Sequence, residues 1–424
     1  PTSCRALTML PLTVDLVEFL ASLAGQQAIT SLTDADLESR AELATLARLR
    51  KTFPREQAAA LLDQARLRRR AADKFPHPER LLFTDDALQQ ASSRAVALYR
   101  AGQFAAALSD HRPATVADLG CGIGADTIAL AESGLHVLAV ERDPVRARIA
   151  QLNLAALGLA EAAEVVQDDW TKLFAGGLAA QTRANAAFID PSRRAGDRRI
   201  FNLEDMDPPM SQILALTEQL DAVAVKTMPG IADDDIPAAA EAEFISERGQ
   251  MKETLLRFGS LRTGANRRAT LLPGPYHLDS NAPLAGLPAV EPLDWLLEPD
   301  AAVIRATLVQ HLATALGARQ IDPSIAYLTA DRRIDTPFAR CWHVIRHGSF
   351  NLKTLNRWLR EIGAGNAVVK KRGSPIDPDE FRRRLKTTPG GQPVTVFLTR
   401  SLDRPWMIVA DAGAVVGWET DQVR

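Results

Sequence analysis

The sequence predicts an α/β protein: a helical N-terminal region, a core built on a parallel sheet, and a small C-terminal α+β domain. Three observations carry this. Apolar residues recur at three- and four-residue spacing from about Leu12 to Leu108. Short apolar runs then repeat about every 25 to 35 residues, with helical segments between them. Finally, a Pro/Gly-rich stretch, "PGPYHLDSNAPLAGLPAVEP", marks a boundary beyond which the rhythm changes again. The expected domains are 1–110, 111–282 and 283–424.

In the leader, "SLTDADLESRAELATLARLRK" reads as one helix that Ser31 or Thr33 can cap, with Leu37, Leu43, Leu46 and Leu49 on one face. "PREQAAALLDQARLRRRAADKF" is a second helix, opened by Pro54, and "TDDALQQASSRAVALYRAGQF" a third, starting at Thr84. The runs "TVADLG", "LHVLAVER", "AEVVQDDW", "NAAFIDPS" and "DAVAVKTMPG" read as the strands of βαβ units. "AEFISERGQMKETLLRFG" and "RRATLLPG" read as a closing antiparallel pair ending near residue 280. Past the boundary come a helix ("AAVIRATLVQHLATALGA"), a basic segment, and the strand-like runs "VTVFLTR" and "PWMIVAD". From residue 350 onward the expected order is helix, strand, helix, strand, strand.

At 424 residues, 46% hydrophobic and 24% charged, the chain has the composition of an ordinary globular protein with a sizeable core. A net charge of −2 means that any basic or acidic surface must be local. Cys4, Cys121 and Cys341 lie too far apart for a disulfide framework, which fits a reducing compartment. No apolar stretch approaches ~18 residues, so no membrane span is expected. "MLPLTVDLVEFLASLAG" carries Asp15 and Glu18 and has no basic start, unlike a signal peptide. The expected location is the cytoplasm.

The most informative stretch is "VADLGCGIGADTIAL". Asp118 ends a strand and is followed by Gly120, Cys121, Gly122 and Gly124 before an amphipathic helix. Glycine permits positive φ and lets a ligand touch the backbone, while the helix start offers unpaired N–H groups. The next strand ends at Glu141 and Arg142, where a carboxylate can accept bonds from two ribose hydroxyls. One strand further, Asp168 and Asp169 stand where an adenine amino group needs an acceptor, with Trp170 or Val166 to cover the ring. Gly120, Gly122 and Ala125 also satisfy the dinucleotide fingerprint G-x-G-x-x-A, so a nicotinamide cofactor stays open on the glycines alone. Asp118 argues against it: an acid sits poorly beside a pyrophosphate and well beside the ammonium of S-adenosylmethionine. Cys121 reads as a small packing residue.

"ADLGCGIGADTIAL…VLAVERDPVRARIAQLN" resembles the first two motifs of class I S-adenosylmethionine-dependent methyltransferases. From about residue 35 to 424 the chain resembles a bacterial family of such enzymes with a THUMP-like C-terminal domain. The distinctive stretches are "FIDPSRRAGDRRIFNLEDMDPP" and "VVKKRGSPIDPDEFRRRL". The resemblance implies a Rossmann-like seven-stranded methyltransferase core. It also implies cofactor contacts from Asp118, Gly120, Gly122 and Glu141, and an adenine facing Asp168 or Asp169. Cys121, Gly124 and Arg142, beside these motifs, complete the expected cofactor set. Because THUMP-type domains usually bind RNA, it implies an RNA substrate.

The reaction centre is expected at the fourth strand end, "FIDPSRR", where this fold brings side chains to a ligand. Asp190 can accept a hydrogen bond from an attacking group, and Pro191 stiffens the backbone. The segment resembles the Asp-Pro-Pro motif of amino-methylating nucleic-acid enzymes but has Ser192 for the second proline and Arg193 for the aromatic that stacks on a flipped base. Arg193, Arg194, Arg198 and Arg199 form either a phosphate or carboxylate clamp or a solvated loop paired with Asp197, Glu204, Asp205 and Asp207. Phe201 or Phe188 offers a stacking face, though a core position suits a phenylalanine better. Lys226, closing the fifth strand, either touches substrate or pairs structurally.

From Phe350 to Lys386 ten Lys/Arg stand against four acids, a local excess of +6 that fits phosphate contact. "RLRRR" at 66 to 70 either extends that track or is an ordinary turn. Cys341, His343 and His347 in "CWHVIRH" lack the further ligands of a tetrahedral zinc site, so no metal is expected. No nucleophile elbow for a hydrolase is present. The leading expectation is an RNA methyltransferase. A methyltransferase for a small anionic molecule or protein side chain, or a non-catalytic RNA-binding protein retaining the fold, stays open.

Overall fold

The five apolar runs after residue 113 are strands, all parallel; the central ones are apolar on both faces and must be covered on both sides, whereas the edge strand carries exposed Glu164 and Gln167. They are β1 (Thr115–Leu119), β2 (His136–Glu141), β3 (Ala163–Gln167), β4 (Ala186–Ile189) and β5 (Ala222–Thr227). β4 and β5 are buried at every residue. The structure, a computed structural model, describes residues 11–111, 113–173, 182–191, 194–195, 198–199 and 203–413.

Four more strands follow: β6 (Glu241–Glu247), β7 (Gln250–Gly259), β8 (Arg267–Leu272) and β9 (Tyr276–Asp279). The sheet runs β9-β8-β6-β7-β5-β4-β1-β2-β3, nine strands rather than the expected seven: "AEFISERGQMKETLLRFG" forms two of them, β6 and β7, and β9 adds an edge beyond β8. One expectation is corrected. β8, from "RRATLLPG", is not antiparallel to what precedes it; it pairs with β6 in parallel, Arg267 opposite Ala242 through Leu272 opposite Glu247. Its antiparallel partner is β9, which follows it in the chain.

By internal packing the chain divides into two units, 1–240 with 256–263, and 241–255 with 264–424. Within the first, leader helix Arg94–Ala107 packs against the helix Ala125–Glu132, and Val14–Ala21 against the helix Pro144–Leu157. The leader's expected 31–51 helix is two short ones: Thr33 caps Asp34–Leu37 in a reciprocal capping box with Asp36, the chain then turns, and Glu42–Leu49 begins. That turn resets the helical phase. Leu46 and Leu49 are buried, whereas Leu43, expected beside them, is 77% exposed. The expected helix from Thr84 also breaks, into Asp85–Gln90 and Arg94–Ala107, the second capped by Ser93. Hydroxyls that hydrogen-bond locally favour such interruptions.

The "RLRRR" arginines are structural. Arg66 pairs with Glu42, Arg69 with Asp34 and Arg70 with Asp85. Arg68 is buried, its Nε donating to the Leu81 carbonyl at 2.9 Å and its Nη2 to Gln26 Oε1 at 2.7 Å.

The second unit carries a seven-stranded sheet of its own: β10 (Trp295–Pro299), β11 (Arg319–Asp322), β12 (Ile325–Ala330), β13 (Ala339–Ser349), β14 (Ala364–Lys371), β15 (Gln392–Ser401) and β16 (Arg404–Asp411). The order is β11-β12-β10-β13-β16-β15-β14. From residue 350 the elements are helix Leu352–Glu361, β14, helix Pro378–Arg382, β15 and β16, the predicted succession. Leu355 and Leu359 of the first helix pack with Phe381, Val396 and Val409. Among the described residues no helix is long and apolar enough to cross a membrane.

Asn153 joins the leader to the core. Its buried side chain accepts from Leu82 N (2.8 Å) and donates to the carbonyls of Leu82 (3.0 Å) and Ile123 (3.2 Å). Asn153→Ala would strand these buried backbone groups, so chemical denaturation should report a loss of roughly 2–4 kcal/mol with an unchanged m-value.

Candidate functional site

Strand order reverses between β1 and β4, and the crevice at their carboxyl ends is where open α/β sheets bind ligands. Both motif-bearing segments meet there. Gly120, Gly122 and Gly124 all have left-handed backbone, φ +89°, +58° and +92°. Residue 120 has a second reason to be glycine: a Cβ there would stand 3.2 Å from the carbonyl oxygen of Asp190. At residue 122 a Cβ would meet nothing within 4 Å, so the backbone borders open space. Gly124 caps the helix Ala125–Glu132.

Glu141, ending β2, is buried, and its carboxylate holds the loop: Oε2 accepts from Gly122 N and Oε1 from Asp143 N, both at 2.9 Å. Each oxygen keeps one lone pair for a further donor. Arg142 is exposed and pairs with Asp207 at 2.6 Å, so that acid, expected among the partners of the loop arginines, is engaged elsewhere. Asp168 and Asp169 differ in what they offer. Asp169 takes hydrogen bonds from the backbone and hydroxyl of Thr171, whereas Asp168 is exposed at the end of β3 and, among the described residues, accepts from Asp169 N. Trp170 is buried and Val166 half-buried. Cys121 is buried, and that burial pushes its thiol well above its ordinary range, as a packing residue requires.

Asp190 follows β4, with its amide 3.4 Å from the Leu119 carbonyl. Its side chain is about one quarter exposed (28%), and Oδ2 lies 2.7 Å from Lys226 Nζ. The structure thus makes Lys226 a partner of Asp190. Pro191 is buried. Arg193 lies outside the described residues; Arg194 pairs with Arg199 and Ala195 with Arg198 as two short strands, whose side chains are likewise outside them. So are Ser192 and Phe201. Phe188 is a core residue, its ring under the Arg100 guanidinium at 4.2 Å. Glu204 accepts from Ser211 N at 2.9 Å.

Sequence reasoning missed what lies behind the crevice. Arg100, from the leader and 1% exposed, pairs with Asp126 in the first turn after the glycines. Ser92 donates to Asp126 Oδ2 at 3.2 Å. Thr127 donates to Asp118 Oδ2 at 2.5 Å. The one sequence signal was the Asp-Thr pair directly after Ala125; the partners come from elsewhere in the chain.

Asp118 itself is buried, and its Oδ1 has no hydrogen-bond partner among the described residues. Burial, then the neighbouring Asp126 charge, raises its carboxyl to about 7, against the Thr127 bond. The sign is the reverse of an ordinary ion-paired aspartate. Between pH ~4 and ~7 the folded state holds a proton that the unfolded chain has lost, so this group's contribution to stability falls as pH rises. Asp118→Asn should remove that slope. Urea unfolding at pH 5 and 7.5 should show the variant gaining on the parent by on the order of 2–4 kcal/mol across the interval.

In the second unit, Asn356 draws two basic stretches together. Its Nδ2 donates to the Arg384 carbonyl at 3.2 Å and its Oδ1 accepts from Lys386 N at 2.7 Å, fixing the 382–386 turn against the helix that carries Lys353, Arg357 and Arg360. Lys353, Lys371, Arg382, Arg383, Arg384 and Lys386 are exposed. Lys370 and Arg372 are committed elsewhere, both to Glu298 on β10, an acid outside the stretch whose charge was counted. Cys341 is buried on β13, and His347 stacks on Trp406 at 6.1 Å.

Residues 339–412 match the family described as THUMP domain-like, and residues 13–71 match a domain of unknown function (DUF8688). Relatives from two strains of Mycobacterium tuberculosis, each described as an uncharacterized S-adenosylmethionine-dependent methyltransferase, are 35% identical over 357 residues, covering 81% of this chain and 93% of the relative. The fold is similar to that of a provisionally named methyltransferase from Porphyromonas gingivalis W83. The TM-score is 0.69 at 20% identity, over 89% of this chain and 99% of that one. The orphaned carboxylate oxygen of Asp118 and the open backbone at Gly122 fit a ligand bearing both an ammonium and hydroxyl groups. The chain belongs to the S-adenosylmethionine-dependent methyltransferases, and S-adenosylmethionine is its cofactor.

Proposed function

We propose that this enzyme methylates RNA, binding its cofactor at the β1/β4 crevice and its substrate through the basic face of the THUMP-like module. The cofactor supplies an electrophilic methyl group on a sulfonium; the protein positions the acceptor and excludes water. Asp118 would face the cofactor's ammonium with its vacant Oδ1, and Glu141 would accept from the ribose hydroxyls with its remaining lone pairs. The bare main chain of Gly120, Cys121, Gly122 and Gly124 allows close approach. Asp168, with its carboxylate less engaged than that of Asp169, is the better acceptor for the adenine amino group. Arg142 stands at the rim, paired with Asp207.

Asp190, with Pro191 stiffening its backbone, would accept a hydrogen bond from the acceptor atom. It is partly exposed and touches the glycine loop. Arg193 and Arg194, next in the chain, would hold a substrate phosphate. The observation that carries the RNA reading is the clustering of Lys353, Arg382, Arg383, Arg384 and Lys386 around Asn356, within the segment that matches the THUMP domain-like family. Buried, unpaired Cys121 and Cys341 are consistent with a reducing compartment, so we place the enzyme in the cytoplasm.

Incubation with tritiated cofactor and total RNA from cells lacking the enzyme should label RNA, and nucleoside mapping should find one modified species. Label that survives nuclease in protein or small molecules would overturn the RNA reading. Asp190→Ala should lower turnover by about 100-fold or more, with affinity for S-adenosylhomocysteine within threefold of the parent. Parental turnover would misplace the reaction centre.

Charge reversal of the basic turn tests the substrate face. Arg383→Glu with Arg384→Glu should weaken RNA binding by about tenfold or more at low salt. The slope of log K against log salt should fall by about 0.7 to 0.9 for each phosphate that is no longer neutralised.

A further inference from the structure

Lys226 is buried at the carboxyl end of β5. It lies on β5 beside β4, with Val225 opposite Ile189, so Lys226 and Asp190 are neighbours just past the paired residues at the carboxyl ends of their strands. The lysine side chain is 6% exposed and the aspartate 28%, so the ammonium approaches the carboxylate from the core side. Its Nζ is 2.7 Å from Asp190 Oδ2, 3.4 Å from Ser92 Oγ and 3.5 Å from the carbonyl of Gln90. The last two belong to the leader. The Ser92 hydroxyl accepts from Lys226 and donates to Asp126 Oδ2, whose other oxygen accepts from Arg100. The bonds therefore run in one direction, from the acceptor carboxylate's partner to the helix behind the glycine loop.

A buried ammonium is costly to desolvate, and its ion pair returns little net stability compared with an apolar residue. What the pair does supply is direction. With Oδ2 tied from behind, the exposed half of the Asp190 carboxylate has one orientation, and a fixed acceptor geometry is what an in-line displacement requires.

We propose that Lys226 is a positioning residue for methyl transfer, holding Asp190 by one oxygen so that the other meets the acceptor group, with Ser92 and the Gln90 carbonyl holding Lys226 in turn. This rests on the assignment of Asp190 above. It makes the N-terminal helices part of the reaction centre, through contacts more than 130 residues apart in sequence.

The test compares Lys226→Met, Lys226→Arg, Asp190→Asn and the double variant Lys226→Met/Asp190→Asn in the full chain. The readout is total tritium transferred from labelled cofactor into an extract of cells lacking the enzyme, whatever the acceptor. S-adenosylhomocysteine affinity is measured by calorimetry alongside. Lys226→Met should transfer label about 30-fold more slowly with affinity within threefold, and Lys226→Arg should recover at least about a third of the parental rate. The double variant should be no slower than Asp190→Asn alone, because the two side chains act as one. Parental transfer by Lys226→Met beside a slow Asp190→Asn would overturn the role of Lys226; so would loss of rate and cofactor affinity in step. Parental transfer by Asp190→Asn would instead overturn the assignment of Asp190. Should Lys226→Met fail to fold, Ser92→Ala reports on the same anchor: a fall of about fivefold in rate at unchanged affinity is expected, and an unchanged rate would refute the proposal.

Discussion

The close approach of Gly120 to the carbonyl of Asp190 governs the arrangement of the site. Two loops that leave neighbouring strands on opposite sides of the reversal in strand order would ordinarily diverge. Here one lacks a side chain at the point of contact, and its left-handed backbone turns it across the end of the other. The glycine loop and the segment after β4 are thereby brought together, with 3.2 Å between the Asp190 carbonyl oxygen and the place a Cβ at residue 120 would take. A side chain at position 120 would crowd that carbonyl and strain the left-handed backbone.

Behind that contact lies a layer of polar groups with almost no water access: Asp118, Asp126, Thr127, Arg100, Ser92 and Lys226. Such a layer is expensive unless each member finds a partner, and nearly every one does. Asp118 Oδ1 is a buried acceptor there with no hydrogen-bond partner among the described residues. Ser92 and Arg100 come from the leader, which therefore does more than cover the sheet. It supplies the cation for Asp126 and a hydroxyl between Asp126 and Lys226.

The parallel sheet was legible because strands buried on both faces read as unbroken apolar runs, and the spacing from Asp118 to Glu141 followed from the length of one βα unit. The direction of β8 was not: "RRATLL" has the same pattern whichever way its neighbour runs, and only the tertiary path decides. The break in the first leader helix hinged on one turn at residues 38–41, which sent Leu43 outward although its spacing matched Leu46 and Leu49. Charges were the least legible feature. Arg68 finds Gln26 and Leu81, and Lys370 finds Glu298, at separations that no local window samples. An arginine run or a net-charge count is therefore a statement about composition until the fold shows which cations are already paired. Of the site, the residue types were readable, but which carboxylate oxygen stays vacant was not.

Strand β7 has an effect on how the polypeptide comes into being. Its first six residues belong to the second unit and its last four to the first, so the chain leaves the first unit at residue 240, re-enters at 256 and departs again after 263. During synthesis the amino-terminal unit cannot be completed until a hairpin of its successor has already emerged from the ribosome. Nor can a gene fragment beginning at residue 283 carry the second unit whole, since β6, β8 and β9 are encoded upstream.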